Sequence, residues 1–482
     1  MLTNKTALGV IWSFLEQFSR RGISVLVTLL LAYFLTPEDY GLVAMMSLFL
    51  ALGNALMESG FKQALIRKLN LTDLDINTAF YANILLSAIA YIVLFIAAPF
   101  ISAYYNEPQL TSLIKIAGLI LIFNAFQVVQ TAILSKKMEF KALLKANFPA
   151  AIISGASAVL LAYLGFGVWA LIGQMLLSSL LISAFLWLQS SWRPKMRFCM
   201  HSLKEMYNYG YKLFLSSLLD TFYKNIFVMI IAKTFTVSLA GLYFFADRVK
   251  ELLITQLIIS IQTVTFPALS EIQDDSARLK QAYRKIMQVM TFTVFPILLI
   301  FAALAAVVFD LLLPDKWLAA VPYLQLMCIS CLVIPIISIN LNIIKIKGHS
   351  GWYLFLEIVK KLTGFIVLFF TYKHGVLAIL YGQIASQAVN YYPSVYLSNK
   401  LVSYSFVQQM KDFLPNLILS AVVAIFVWYL QTILTLPAFI ELIILGLLSL
   451  IMFVGGAFVL KLDSLSLTLK MLQNLKNKKR AS

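Results

Sequence analysis

The sequence predicts an all-α integral membrane protein of about fourteen transmembrane helices. Three observations predict it: a strongly apolar composition, apolar stretches of spanning length that recur from end to end, and basic residues confined almost entirely to alternate connections.

Of the 482 residues, 61% are hydrophobic and 12% charged, and the mean hydropathy is +0.88. A soluble protein must cover its core with polar surface, and this chain has too few polar residues for that. Lys and Arg number 38 against 21 Asp and Glu, a net charge of +17. In a soluble protein that excess would suggest nucleic acid. In a membrane protein it marks cytoplasmic loops, so no nucleic-acid partner is expected.

The apolar stretches lie at 10–35, 40–62, 77–103, 111–134, 146–165, 168–190, 209–233, 238–266, 284–309, 318–342, 352–371, 375–398, 413–432 and 437–460. Each is long enough to cross ~30 Å of hydrocarbon. Backbone N–H and C=O groups inside lipid must be satisfied internally, which makes such spans helical. Lys5 precedes the first stretch, but Glu16, Arg20 and Arg21 interrupt it and no small-residue cleavage site follows. It therefore reads as the first span, not as a removable signal.

The basic residues give the orientation. With the N-terminus inside, 27 Lys and Arg fall in cytoplasmic segments, three in outer loops (Lys233, Lys316 and Lys373) and eight inside helices. A miscounted span would spoil this alternation, so the tally supports fourteen spans with both termini cytoplasmic. All connections are too short to hold a folded domain. Function must lie among the helices.

The sequence also repeats. A shift of 200 residues places Ala32, Thr36, Gly41 and Leu42 on Ala232, Thr236, Gly241 and Leu242, both sets at the same outer turn of a helix pair. Pro99 and Pro296 fall in corresponding third helices at a slightly different offset. The half-length period predicts a six-helix lobe over 1–206, a second over 207–402, and two extra helices with a basic tail over 403–482.

Charges inside spans cost roughly 2.5–3.5 kcal/mol each on insertion scales, so their placement is informative. Segment 1 carries Glu16, Arg20 and Arg21, and segment 2 carries Glu58. Segment 7 carries Asp220 and Lys224, and segment 8 carries Asp247, Arg248, Lys250 and Glu251. Segment 11 adds Glu357, Lys360 and Lys361. Ser13, Glu16, Gln17, Arg20, Arg21, Ser24 and Thr28 share an arc of ~140°, and Ser217, Asp220, Thr221, Lys224 and Asn225 do much the same. Such stripes face protein or water, and one per lobe predicts a hydrated cavity between lobes. Against this stands a structural reading. Glu16 with Arg20, Asp220 with Lys224, and Asp247 with Lys250 are spaced to neutralise each other and to hold helices together. Cys328-x-x-Cys331 lies inside an apolar span with no second ligand pair and reads as core thiols, so no metal or cofactor is expected.

The opening run Ala7-Leu8-Gly9-Val10-Ile11-Trp12-Ser13-Phe14-Leu15-Glu16-Gln17-Phe18, followed by Leu35-Thr36-Pro37-Glu38-Asp39-Tyr40-Gly41-Leu42-Val43-Ala44-Met45, resembles the polysaccharide-transport branch of oligosaccharide flippases, the Wzx-type proteins. Gly241-Leu242-Tyr243 and Phe266-Pro267-Ala268-Leu269-Ser270 resemble that branch in the second half. The branch belongs to the multidrug/oligosaccharidyl-lipid/polysaccharide exporter superfamily. The resemblance implies two six-helix lobes around a cavity built largely from helices 1, 2, 7 and 8. It also implies an undecaprenyl pyrophosphate-linked oligosaccharide as substrate, turned from the inner to the outer leaflet for lipopolysaccharide or exopolysaccharide assembly. The expected partners are that lipid, the surrounding membrane lipids and other polysaccharide assembly proteins, and no catalytic residues are implied.

On this reading Arg20, Arg21, Lys224, Arg248 and Lys250 bind substrate phosphates. Glu16, Glu58, Asp220, Asp247 and Glu251 pair with them or couple an ion. A drug/cation antiporter of the same superfamily is the alternative, and five intrahelical cations argue against it. A membrane polymerase or ligase would need catalytic groups in a long outer loop, which this sequence lacks.

Overall fold

The structure, a computed structural model, describes residues 2–470 except 59, 69 and 435, together with residue 473. The side chains of 2–11, 13–15, 58, 209, 212, 213, 256–264, 267 and 268 lie outside the description. The described chain is helical throughout, with no strand.

The helices run in order as α1 (Leu2–Phe34), α2 (Pro37–Glu58), α3 (Phe61–Arg67), α4 (Asp73–Tyr105), α5 (Gln109–Ala117), α6 (Leu119–Lys136), α7 (Phe140–Tyr163), α8 (Val168–Gln189) and α9 (Met200–Thr234). They continue as α10 (Val237–Ser270), α11 (Ser276–Leu312), a 3-10 turn (Asp315–Ala320), α12 (Val321–Ser330), α13 (Ile334–Ile346), α14 (Ser350–Thr371), α15 (Val376–Val402), α16 (Phe406–Ile433) and α17 (Ala438–Val459). Every predicted span falls on helix. Among the described residues, ten helical stretches are long and apolar enough to cross a membrane. α14 is not one of them, because Glu357, Lys360 and Lys361 sit at its centre.

Three predicted spans are interrupted. The second breaks between α2 and α3, where Gly60 takes a left-handed φ of 76°. A side chain there would also collide, since a Cβ on Gly60 would lie 2.6 Å from the Gly210 Cα. The fourth span breaks at Gly118. The tenth breaks between α12 and α13, where Pro335 has no N–H to bond the carbonyl four residues back, so α12 cannot run on.

The chain divides into two compact units, Met1–Phe244 and Phe245–Ser482. In the first, α1 packs on α7, α7 on α8, and α2 on α9. α9 starts nine residues before its predicted boundary of 209 because the preceding segment is tied to α4. The Lys195 amide donates to Asn77 Oδ1 at 2.6 Å and the Cys199 amide to Thr78 Oγ1 at 3.0 Å. At this basic end Lys68 donates to Asp75 at 3.0 Å and to Glu205 at 2.8 Å. The Glu205 hydrogen bond, and then that of Asp75, hold the Lys68 ammonium above its ordinary value despite partial desolvation.

In the second unit, α11 packs on α16 and α17, and α15 packs on α12, α13 and α14. Its core gathers Tyr283, Met287, Phe295, Ile339, Val395 and Tyr404. Asp412 of α16, with a side chain only 6% exposed, receives Arg284 Nε at 2.7 Å and Nη2 at 2.8 Å. It also accepts Gln288 Nε2 at 2.8 Å and the Tyr404 hydroxyl at 2.7 Å. One turn on, Asn416 donates to Thr291 Oγ1 and accepts from Ser464. This chain of bonds fastens α16 to α11.

The repeat proves to be structural. Thr36 and Thr236 cap α2 and α10 in the same way, each hydroxyl accepting the amide three residues on at 3.3 Å (Asp39 and Leu239). Ala32 and Ala232 are both buried, as are Leu42 and Leu242. The two turns also touch. A Cβ on Gly41 would strike the Val237 carbonyl, and one on Gly241 would strike the Pro37 carbonyl and lie 2.8 Å from the Gly41 nitrogen. Val237 is Pro37 shifted by 200, so the contact is reciprocal. Only glycine allows two backbones to approach this closely.

Candidate substrate-binding site

The charged residues singled out from the sequence fall into two groups, one in each compact unit. In the first, α1 presents Glu16, Arg20 and Arg21. Glu16 is held from α7, where Asn147 Nδ2 donates to Glu16 Oε1 at 2.9 Å. The same carboxylate oxygen lies 3.4 Å from Arg20 Nε. The Glu16 side chain is 13% exposed and that of Arg20 56% exposed, so the carboxylate is an anchored base from which a largely open guanidinium extends. Arg21 is partly buried. On α9, Asp220 is partly buried and Lys224 exposed. Thr221 and Asn225 continue that stripe, with Asn225 Nδ2 closing back on the Thr221 carbonyl at 2.8 Å. Glu58 closes α2, and its side chain lies outside the described residues.

In the second unit, α10 carries Asp247 and Lys250 as a close, partly buried ion pair. Arg248 and Glu251 form a loose one at 3.9 Å, their side chains 58% and 54% exposed. Helical spacing brings Glu16 and Arg20 together on α1, and Asp247 with Lys250 and Arg248 with Glu251 on α10. Three of the cations, Arg20, Lys224 and Arg248, are thus exposed in long helices, whereas Lys250 is committed to its carboxylate.

Charge counting missed the neutral residues. Asn147 bonds directly to a site carboxylate, Glu16. A second set lies in the first unit, where Asn124 Nδ2 donates to Asn54 Oδ1 at 2.9 Å and Gln127 Nε2 to the Ser179 carbonyl at 2.8 Å. These bonds cross α2, α6 and α8 through apolar surroundings, where an amide without a partner would be costly. The legible signal was an Asn or Gln in the middle of an apolar span.

Arg284, the first residue of the predicted span 284–309, pairs with Asp412 at 2.7 Å. Cys328 and Cys331 are buried free thiols. Cys199 is different. It stands at the N-cap position of α9, and hydrogen bonding from Ser202 holds its thiol below the ordinary value.

The paired charges thus lie on the first and tenth helices of a bundle of long apolar helices. The profile of the family described as "Polysaccharide biosynthesis protein" matches residues 30–322. An "Uncharacterized membrane protein in cps region" of Klebsiella pneumoniae is 26% identical over 436 residues, which covers 89% of this chain and 87% of that one. The "Lipopolysaccharide biosynthesis protein WzxC" of Escherichia coli (strain K12) is 25% identical, over 68% of this chain and 67% of that one. The structure titled "Lipid II flippase MurJ, inward closed conformation" aligns with a TM-score of 0.75 and 13% identity, covering 93% of this chain and 99% of that one. The fold is therefore that of an all-α membrane transporter. The chain belongs to the polysaccharide biosynthesis protein family.

Proposed function

We propose that this protein carries an undecaprenyl pyrophosphate-linked oligosaccharide from the inner to the outer leaflet of the bacterial cytoplasmic membrane, by alternating access, for surface polysaccharide assembly. The observation that carries the reading is the open state of Arg20. Its side chain is more than half exposed and lies 3.4 Å from its carboxylate. A largely exposed guanidinium kept in a membrane helix is poised for an anion, and a pyrophosphate accepts charge-assisted hydrogen bonds from several such donors at once.

In this reading Arg20, Arg21, Lys224, Arg248 and Lys250 take the phosphates, while the polyprenyl tail stays in lipid. Glu16, Glu58, Asp220, Asp247 and Glu251 hold those cations between cycles or exchange a proton. The lobes 1–206 and 207–402 alternate around the cavity, and both termini are cytoplasmic. The names of the WzxC relative and of the lipid II flippase sharing the fold support this direction. The sequence contains no nucleotide-binding loop, so an ion gradient or the substrate gradient supplies the energy. Arg20→Ala and Lys224→Ala test the reading in cells assayed for surface polysaccharide. Both should lower it while protein levels hold. Normal polysaccharide at normal protein levels in both variants would sink the pyrophosphate role.

A further inference from the structure

The segment 190–199, between α8 and α9, is an extended strap across the basic end of α4. Its first part is fixed inward, with the Trp192 and Phe80 ring centroids 5.6 Å apart. Its second part is pinned at two points, by the Lys195 amide on Asn77 Oδ1 and the Cys199 amide on Thr78 Oγ1. Asn77 and Thr78 open the predicted apolar stretch 77–103, so the strap lies at the edge of the hydrocarbon. Between the two pins, Met196 is 97% exposed and Phe198 49%. The start of α9 continues the pattern. Met200, Lys204 and Tyr207, at helical spacing, are exposed on one face, while Ser202 and Met206 are buried on the other.

Basic residues stand among these apolar ones, since Arg193, Lys195, Arg197 and Lys204 are all exposed. On α3, α4, α6, α8 and α9 the carboxylates at this end are Asp73, Asp75 and Glu205. The Glu58 side chain, on α2, lies outside the described residues. Lys68 takes Asp75 and Glu205, and Asp73 lies 3.7 Å from Lys195. Arg193 donates to the Ser190 and Trp192 carbonyls at 2.6 and 2.9 Å and lies over the Trp187 ring, contacts that leave its charge in place. Among the described residues, none of the three carboxylates bonds Arg193, Arg197 or Lys204.

Exposed methionine and aromatic side chains, with unneutralised cations between them, are thus held at the edge of the hydrocarbon. That combination fits the headgroup zone of a leaflet containing anionic phospholipid: apolar tips enter the acyl boundary and cations meet phosphates. We infer that residues 193–207 form an interfacial anchor. Met196, Phe198, Met200 and Tyr207 insert into the leaflet on that side, and Arg193, Arg197 and Lys204 bind the phosphates of anionic phospholipid. The anchor runs directly into α9 and sets the depth of that helix in the membrane. It does not depend on the roles of Arg20 or Lys224 in transport.

The test uses the full-length protein with an environment-sensitive fluorophore at Met196→Cys. Cys199→Ser leaves that thiol as the accessible one, because Cys328 and Cys331 are buried. In phosphatidylcholine nanodiscs with and without phosphatidylglycerol, the label should report an apolar setting and be quenched by lipids brominated near the headgroup end of the acyl chain. Energy transfer to acceptor-tagged phosphatidylglycerol, diluted in phosphatidylcholine, reads its local binding. Arg197→Gln with Lys204→Gln should weaken that binding roughly tenfold. Met196, Arg197 and Lys204 are exposed, so the variants keep the fold. A label that stays in water, unquenched in both lipid mixtures, overturns the anchor. Phosphatidylglycerol binding equal in the double variant and its parent overturns the role of the cations. A label in water in nanodiscs, yet shielded from a soluble quencher in native membranes, places a protein on this patch and likewise overturns the inference.

Discussion

Two arginines in this protein sit beside carboxylates in membrane helices, and the two pairs are built differently. Arg284 grips Asp412 with two hydrogen bonds of 2.7 and 2.8 Å, while Gln288 and Tyr404 occupy further lone pairs of the same carboxylate. Arg20 meets Glu16 through a single nitrogen at 3.4 Å, and its side chain stays 56% exposed. The first arrangement is closed: every oxygen of Asp412 is committed, and its product is the docking of one helix on another. The second is open at the cation. Asn147 steadies the carboxylate, and most of the guanidinium is left for something else. Residue type alone does not separate them, because each is an Arg beside an acid. Number of partners and exposure do.

The largest effect should come from breaking the closed pair. Asp412→Ala removes the partner of Arg284, Tyr404 and Gln288 together. A broken buried pair typically costs 3–5 kcal/mol, and Arg284 stays 44% exposed and can rehydrate, so about 2–4 kcal/mol is expected. Thermal unfolding of the purified protein measures it. A loss under about 1 kcal/mol would show that the network contributes little.

Next comes the reciprocal glycine contact. Gly241→Val or Gly41→Val forces a side chain into a backbone carbonyl and should cost about 1–3 kcal/mol in the same assay. Gly446→Ala is the control. Nothing lies within 4 Å of a Cβ there, so the change should be neutral or stabilise by up to about 1 kcal/mol.

Arg20→Ala sharpens the comparison from the other side. Unfolding should move by less than about 0.5 kcal/mol, as for a loose exposed pair, while surface polysaccharide falls. A large loss of stability would place Arg20 with Arg284 as a structural residue.

Lys68 is intermediate, a cytoplasmic-side cation shared by Asp75 and Glu205. Its ammonium is held above the ordinary lysine value, so its contribution is complete below the unfolded-state value and fades only as pH rises through the raised one. Lys68→Met should therefore cost about 1 kcal/mol, equally at pH 6 and pH 8.

The smallest effect is chemical. Cys199, with a lowered thiol, should be alkylated by a maleimide at neutral pH, whereas the buried Cys328 and Cys331 resist until unfolding. Labelling from the cytoplasmic side alone would also fix the orientation that the basic loops predict.

The sequence told most about what hydrophobicity decides. The helices were legible because lipid demands long apolar runs: every predicted stretch falls on helix, and ten helical stretches among the described residues are long and apolar enough to cross a membrane. The Thr36/Thr236 and Gly41/Gly241 correspondence was visible as a repeat. Local backbone breaks were less legible. The bend at Gly60 depends on Gly210, 150 positions away, and nothing near Gly60 announces that neighbour. The site was half legible. Glu16 and Arg20 stood out because a charge in a span is costly, but Asn147 is neutral and its role appears only once α7 lies against α1. Arg284 stands at the first position of its predicted span, whereas α11 begins eight residues earlier, and that extension is held by Asp275, which caps the amides of Ala277 and Arg278.

The contact between the Gly41 and Gly241 turns has a geometric consequence. Gly41 meets position 237 as Gly241 meets position 37, which is the pattern of an isologous interface: one surface that fits a rotated copy of itself. Such interfaces normally join separate subunits, and here one is enclosed within a single chain. A patch of this kind has no complementary partner that could change to accommodate it, since lock and key are the same turn. The two copies can diverge nearly everywhere else, but a bulky residue entering either turn would meet the backbone of its own counterpart.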